Sequence, residues 1–197
     1  FQDGTSFGVK LAYSHETELL GTAGGVKRMG ILQGVHDTVL VMSADVVTDI
    51  DLSKLLQFHR EKRAMVTIAL KPLETVQEFG VVILEEDGSI KTFQEKPRPG
   101  EELSHLVNTG IYVLEPEILE MIPEGFYDFG KQLFPLLSKG KVPFYGYVVP
   151  EYWCDVGSFE QYRQANGDAL CGKVRLEIPG VRRGDVWLPE GASLPEN

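Results

Sequence analysis

Two short apolar runs with a helix-forming stretch between them limit this chain more than any other feature. Residues 37–43 contain Thr38-Val39-Leu40-Val41-Met42, rich in β-formers and without polar alternation, as in a strand buried on both faces. Asp51 stands where it can cap a helix reaching about Arg63, and Leu52, Leu55, Leu56 and His59 fall on one face of that helix. Residues 65–70 form the second buried run. Strand, helix and strand in that order make a βαβ unit, which implies a parallel pair joined by a right-handed crossover. The pattern continues downstream. Residues 81–84 and 90–93 flank Asp87-Gly88, a hairpin signal because Gly accepts the positive φ of a tight turn. Residues 106–114 and 142–149 read as further strands. Pro116 opens a short helix, residues 129–137 read as helical with Pro135 ending or kinking the element, and Ser158 with Gln161 forms a capping box for a helix over 159–170. The fold class is therefore α/β.

The last 25 or so residues change character. Val174, Leu176, Ile178, Val181, Val186 and Leu188 punctuate a stretch rich in Gly and Pro, and Pro179-Gly180-Val181 and Pro189-Glu190-Gly191-Ala192 are similar to turns of a hexapeptide-repeat β-helix. The alternative is an extension folded back on the main domain. The division expected is residues 1–170 as an α/β domain and 171–197 as the opening of a C-terminal left-handed β-helix.

Composition narrows the function classes. With 19 basic and 29 acidic side chains the net charge is −10, and no basic stripe is visible, so a nucleic-acid partner is excluded. A small anion remains open to it, because a local pocket of Lys, Arg or metal overrides the global field. Cys154 and Cys171 match no zinc spacing and make no disulfide framework, which points to a reducing, cytoplasmic setting. No apolar run approaches the roughly 20 residues that span a bilayer, so no membrane is expected.

Several residues carry chemistry. Asp45 follows the first buried run, and Asp155 sits in Tyr152-Trp153-Cys154-Asp155-Val156-Gly157 before the last helix. Ligands of open α/β sheets bind beyond strand ends, where each carboxylate is a hard oxygen donor suited to Mg²⁺. Each has a plain alternative, loop capping for Asp45 and a helix-dipole charge for Asp155. Lys96, in Phe93-Gln94-Glu95-Lys96-Pro97, is a flexible cation suited to a phosphate, or else part of an exposed strand end. Asn108 and Thr109 are an odd polar pair inside an apolar strand; the amide can bind sugar hydroxyls or be satisfied in the core. Gly80 allows close backbone approach to a ligand or merely starts a strand. Leu20-Gly21-Thr22-Ala23-Gly24-Gly25 leads into a helix, a start at which backbone N–H groups can meet an anion or a base.

Taken in order, these segments resemble the sugar-1-phosphate nucleotidylyltransferase family, the NDP-sugar pyrophosphorylases. The resemblance runs from about residue 8 to 170 through Leu20-Gly21-Thr22-Ala23-Gly24, the strand ending in Asp45, Glu78-Phe79-Gly80-Val81-Val82, Phe93-Gln94-Glu95-Lys96-Pro97, Asn108-Thr109-Gly110-Ile111-Tyr112 and Trp153-Cys154-Asp155-Val156-Gly157. The tail is most similar to that of mannose-1-phosphate guanylyltransferases. The resemblance implies a Rossmann-like three-layer mixed sheet. It implies Mg²⁺ held by Asp45 and Asp155, the sugar phosphate on Lys96, and sugar hydroxyls on Glu95, Asn108 and Gly80, with Thr109 also among the substrate-binding residues. Gly21 would lie near the base. Ala44 stands where the family often has Gly. The family also opens with a strand and a Gly-rich loop that wraps the triphosphate, and neither Gly4-Thr5 nor Gly8 supplies it. The expectation is that these residues are part of a longer chain and are inactive by themselves.

The implied reaction takes an NTP and a sugar 1-phosphate to an NDP-sugar and pyrophosphate, with guanylyl transfer to mannose 1-phosphate favoured by the tail. Thymidylyl or uridylyl transfer to glucose 1-phosphate is the alternative. A non-catalytic sugar-nucleotide sensor is another, against which the presence of both aspartates and Lys96 argues. A glycosyltransferase would want an Asp-x-Asp pair; Asp49-Ile50-Asp51 has that spacing, but Asp51 is better explained as a helix cap. A β-helix tail is consistent with a homo-oligomer.

Overall fold

The computed structural model describes residues 1–184 and 186–192, and the side chains of residues 32 and 33 are left aside. The chain order is α1 (Gly21–Gln33), β1 (Val39–Met42), β2 (Val46–Thr48), α2 (Leu52–Lys62), β3 (Val66–Pro72), β4 (Gly80–Leu84), β5 (Ile90–Glu95), β6 (Leu106–Leu114), α3 (Pro116–Met121), a π-helical turn (Phe129–Leu133), α4 (Phe134–Leu137), β7 (Phe144–Val148), β8 (Trp153–Asp155), α5 (Phe159–Leu170), β9 (Val181–Arg183) and β10 (Val186–Leu188). A 3₁₀ turn, Thr5–Phe7, precedes them.

Six strands form a mixed sheet in the order β5-β4-β6-β3-β7, with β1 lying beside the second half of β6. The expected parallel pair is corrected here. β1 and β3 run the same way, but each pairs antiparallel with β6, which lies between them (Val39↔Leu114 on one side, Val66↔Leu114 on the other). The βαβ reading had the direction right and the neighbour wrong, because nothing local to residues 37–70 shows that a strand forty residues later will insert between the two. The parallel partner of β3 is β7 (Val66↔Phe144 to Leu70↔Val148).

β3 is buried along Val66-Thr67-Ile68-Ala69-Leu70 because helices cover both faces of the sheet. Val66, Ile68 and Leu70 pack with Tyr112, Phe129 and Phe134 under α1, α3 and α4, while Ala69, Ile111, Val113 and Leu55 pack under α2. The helical stretch over 129–137 divides. Asp128 accepts from the Gly130 and Lys131 N–H groups and opens a π-helical turn, and α4 begins at Phe134. Pro135 falls in the first turn of that second helix, where its missing N–H costs nothing. Asp51 caps α2 as expected, taking N–H bonds from Ser53 and Lys54 at 3.1 Å each. Ser158 caps α5 through the Gln161 N–H.

Two three-residue strands, β2 and β8, escaped the sequence reading. They pair antiparallel (Val46↔Asp155, Val47↔Cys154, Thr48↔Trp153) as a ribbon apart from the main sheet. In the tail, β9 and β10 form an antiparallel hairpin. The final five residues of the expected 171–197 unit, and residue 185, lie outside the described residues.

Candidate active site

The ribbon decides where the two carboxylates go. Asp45 directly precedes β2 and Asp155 closes β8; the pairing of Val46 with Asp155 and the bond from Val156 N–H to Asp45 O (2.8 Å) bring both to one end of the ribbon. That end borders a polar cleft of about 280 Å³, which also receives Glu78, Gly80, Glu95, Lys96, Asn108 and Asp128. Distant segments therefore converge as the residue types led us to expect. The route differs, since the cleft is formed between the ribbon and a mostly antiparallel sheet rather than beyond a row of parallel strand ends.

Electrostatics mark the cleft as a place that wants a cation. Burial pushes the Asp155 carboxyl above the ordinary carboxylate range, the negative charge of Asp45 pushes it further, and Lys96 pulls the other way. Burial likewise raises Glu95, with Asp128 adding to the effect and Lys96 and Lys131 opposing it. Among the described residues no group of three or more His, Cys, Asp or Glu is placed to hold a metal ion. Asp45 and Asp155 are the two hard oxygen donors at this end of the ribbon that could hold a cation such as Mg²⁺. That ion keeps several positions for water and phosphate and needs only one or two carboxylates.

Lys96 directly follows β5 with φ 42°, a left-handed conformation that a Lys rarely takes. Its N–H is fixed to Phe79 O at 3.1 Å, and its ammonium lies 3.8 Å from the exposed Glu78 carboxylate. Glu95 is wedged beside glycine. A Cβ added to Gly80 would come within 3.0 Å of its Oε2 and overlap the Phe93 ring, so Gly80 serves close packing around the acid as well as lining the cleft. Asn108 donates from Nδ2 to the Tyr112 hydroxyl (3.0 Å) and accepts from the Gly110 N–H (3.0 Å). One N–H and one lone pair of the amide remain for a ligand. Thr109 is turned the other way. Its hydroxyl donates to Ala69 O (2.8 Å) in the core, and its carbonyl accepts the Trp153 indole N–H (3.0 Å), which ties β6 to the ribbon.

Gly21 lines a different, larger cavity of about 670 Å³, apolar in character, bounded by Val26, Met29, Val39 and Val41. Among the residues lining the larger cavity Glu16 is the one acid, whereas the smaller cleft gathers Asp45, Glu78, Glu95, Asp128 and Asp155. Thr22 borders both. Its hydroxyl donates to Asp128 Oδ2 and accepts from the Phe129 N–H, each at 3.0 Å. Asp128 is the residue of the cleft that sequence reasoning missed. Its signal was available, an Asp preceding a helical stretch, but that reads only as a cap.

With this geometry in place, comparison with known proteins is decisive on one point. The profile of the family described as Nucleotidyl transferase matches residues 1–171. The chain belongs to that nucleotidyl transferase family. It is 40% identical over 195 residues to the UTP–glucose-1-phosphate uridylyltransferase of Synechocystis sp., covering 92% of this chain and 50% of the relative. It is 33% identical over 197 residues to the mannose-1-phosphate guanylyltransferase of Mycobacterium tuberculosis, covering 98% of this chain and 54% of the relative. The chain thus spans about half the length of these curated relatives. Among solved structures, a UDP-glucose pyrophosphorylase complexed with UDP-glucose superposes with a TM-score of 0.69 at 22% identity, covering 82% of this chain and 66% of that one. HddC from Yersinia pseudotuberculosis gives 0.65 at 24%, covering 79% and 65%. At these identities the structural likeness speaks for the fold, a nucleotidyl transferase α/β domain with a central mixed sheet.

Proposed function

We propose that this protein transfers a nucleotidyl group from an NTP to a sugar 1-phosphate, and that Asp45, Asp155 and Lys96 are catalytic groups. The observation that carries the reading is the convergence of both aspartates, Lys96, Glu95, Asn108 and Gly80 on one cleft. Asp45 and Asp155 would hold Mg²⁺, which when bound neutralises phosphate charge and makes the α-phosphorus more electrophilic. Lys96 offsets the charge of the sugar phosphate. Glu95 and the free half of the Asn108 amide hold sugar hydroxyls, alongside Gly80 and the Thr109 backbone. Gly21 lies toward the base. A sugar-phosphate oxygen forms a bond to the α-phosphorus as the bond to pyrophosphate breaks. That oxygen is already anionic near neutral pH, so the cleft needs no general base; its residues align two polyanions and screen their repulsion.

Two base and sugar pairs compete. Guanylyl transfer to mannose 1-phosphate accords with the Mycobacterium relative, and uridylyl transfer to glucose 1-phosphate with the 40% identical Synechocystis relative. Pyrophosphate release by the full-length protein, measured with each of four NTPs against mannose and glucose 1-phosphates, separates them. No release from any combination would reject the catalytic reading in favour of a sugar-nucleotide sensor.

Further expectations rest on the same reading. Residues 1–170 form the transferase domain. Among the described residues no strand pairs with the outer edge of β1, and the 670 Å³ cavity opens there. That residues 171–197 open a left-handed β-helix favouring a homo-oligomer rests on the Gly and Pro punctuation; the antiparallel β9–β10 hairpin does not support it, since the coils of a β-helix pair in parallel. Among the described residues no helix is long and apolar enough to cross a membrane, and a cytoplasmic setting remains our reading of the cysteine usage.

A further inference from the structure

The cleft leaves one sequence motif unused, Asp49-Ile50-Asp51. Asp51 is spent on capping α2. The Asp49 side chain, only 10% exposed, closes the ribbon at the end opposite the catalytic carboxylates. Its Oδ1 accepts the Tyr152 N–H at 2.8 Å, and its Oδ2 accepts from Arg175 twice, from the backbone N–H at 2.9 Å and from Nε at 3.1 Å. Arg175 Nη2 also donates to Asp49 O at 3.0 Å. Thr48 Oγ1 donates to Tyr152 O at 2.7 Å. One carboxylate thus binds three stretches of chain: the exit from β2, the approach to β8, and the segment after α5.

Two further ties reinforce the knot. The Tyr152 hydroxyl donates to Asp168 Oδ2 (2.9 Å), and Lys173 meets Asp168 Oδ1 at 2.6 Å. Lys71, from β3, donates to Pro150 O (3.0 Å) and Glu151 O (2.5 Å) in the loop that leads into β8.

Why this bears on the metal follows from the size of the ribbon. Two three-residue strands cannot hold their own register in water, and among the described residues neither pairs with a strand of the main sheet. The indole bond from Trp153 to Thr109 O anchors the ribbon laterally. The longitudinal position of β2 against β8 is left to its ends. A slip of one residue at the Asp49 end would break the pairing of Val46 with Asp155 and displace Asp45 and Asp155 relative to each other at the other end.

We infer that Asp49 and Arg175 are positioning residues that fix the register of the β2–β8 ribbon, and through it the spacing of the two metal-binding aspartates, so that the segment following α5 is coupled to divalent-cation affinity. The inference rests on the assignment of Asp45 and Asp155 as ligands.

The test uses the full-length protein and manganese as the probe. Arg175→Ala should weaken Mn²⁺ binding, titrated directly by electron paramagnetic resonance, about ten-fold. Arg175→Lys should recover part of the loss. The Mg²⁺ concentration giving half-maximal pyrophosphate release should rise with it, while KM for the sugar 1-phosphate at saturating Mg²⁺ stays within about two-fold. Adding Arg175→Ala to Asp49→Asn should cost no more than Asp49→Asn alone, since the two side chains act as one unit. Wild-type Mn²⁺ affinity in Arg175→Ala overturns the inference. So does a loss confined to the number of binding sites with an unchanged dissociation constant, which reports unfolding rather than misplacement. Asp45→Asn is the separate control. If it binds Mn²⁺ like the wild type, the ligand assignment fails and this inference with it; if it loses binding while Arg175→Ala does not, only the positioning role falls.

Discussion

The cleft has two walls built on opposite principles. One is the main sheet. β4, β5 and β6 present Gly80, Glu95 and Asn108, with Lys96 directly after β5, from strands that also bury Val82, Phe93, Ile111 and Tyr112 in the core. The other wall is the β2–β8 ribbon, six residues in two strands, which presents Asp45 and Asp155 and is held mainly by polar bonds at its ends. The sheet wall is rigid because moving it would disturb close-packed side chains. The ribbon wall buries Trp153, with Val46 packed beside it, and is otherwise ordered by a handful of hydrogen bonds, each worth about 1 kcal/mol net. The groups assigned to the sugar thus sit on the stiff side and the groups assigned to the metal on the adjustable one. Removing a chemical group should act locally on the sheet side and through metal affinity on the ribbon side.

The largest effect should come from the ribbon. Asp45→Ala and Asp155→Ala in the full-length protein should each lower turnover by at least about 10³-fold, equivalent to ~4 kcal/mol of transition-state stabilisation. Pyrophosphate release at saturating substrates measures it. Near-normal turnover from either variant removes that residue from the metal site and leaves the ribbon a structural feature.

Next comes Lys96, on the sheet wall, where side chain and backbone can be separated. Lys96→Ala and Lys96→Gly both delete the ammonium, and each should lower kcat/KM for the sugar 1-phosphate by about 10²-fold. Only Gly relieves the left-handed backbone, so the Gly variant should unfold about 1 kcal/mol later than the Ala variant. Equal stability of the two would show that the backbone at Lys96 stores no strain. Loss of NTP affinity instead of sugar-phosphate affinity would move Lys96 to the other substrate.

The same contrast explains what could be read in advance. The sheet wall was legible: strands over 81–84, 90–93 and 106–114 and the Asp87-Gly88 hairpin follow from apolar runs and turn chemistry, and they appear as β4, β5 and β6 within a residue or two. The ribbon was not. Val46-Val47-Thr48 and Trp153-Cys154-Asp155 are too short to show a period, and their pairing is a tertiary event between segments that share no local signal. The insertion of β6 between β1 and β3 was hidden for the same reason. Asp45 and Asp155 could still be chosen, since the resemblance and their chemistry supplied what geometry could not. Asp49 could be noticed for its spacing but not understood without Arg175, which lies beyond the last predicted helix.

The smallest expected effect concerns stability. In the metal-free protein, Asp155 holds its proton more tightly than it would in the unfolded chain, because burial and then the Asp45 charge disfavour the anion, with Lys96 only partly compensating. A carboxyl raised in this way contributes stability that is full below its ordinary value of 3.8 and is lost as pH rises through its higher folded value. Near neutral pH without metal, the ionised pair therefore works against folding. Asp155→Asn removes one of the two charges, so calorimetry at neutral pH in chelator should show its Tm above the wild type by about 1–3 °C. The gain should shrink as the pH falls, and be gone well below the ordinary value of 3.8, where Asp155 carries its proton in the folded and the unfolded chain alike. It should reverse in saturating Mg²⁺, because the ion stabilises only the protein that can bind it. A variant less stable than the wild type in chelator at neutral pH would mean that Asp155 is satisfied by bonds within the ribbon rather than strained beside Asp45, and the adjustable wall would then be preorganised without its cation.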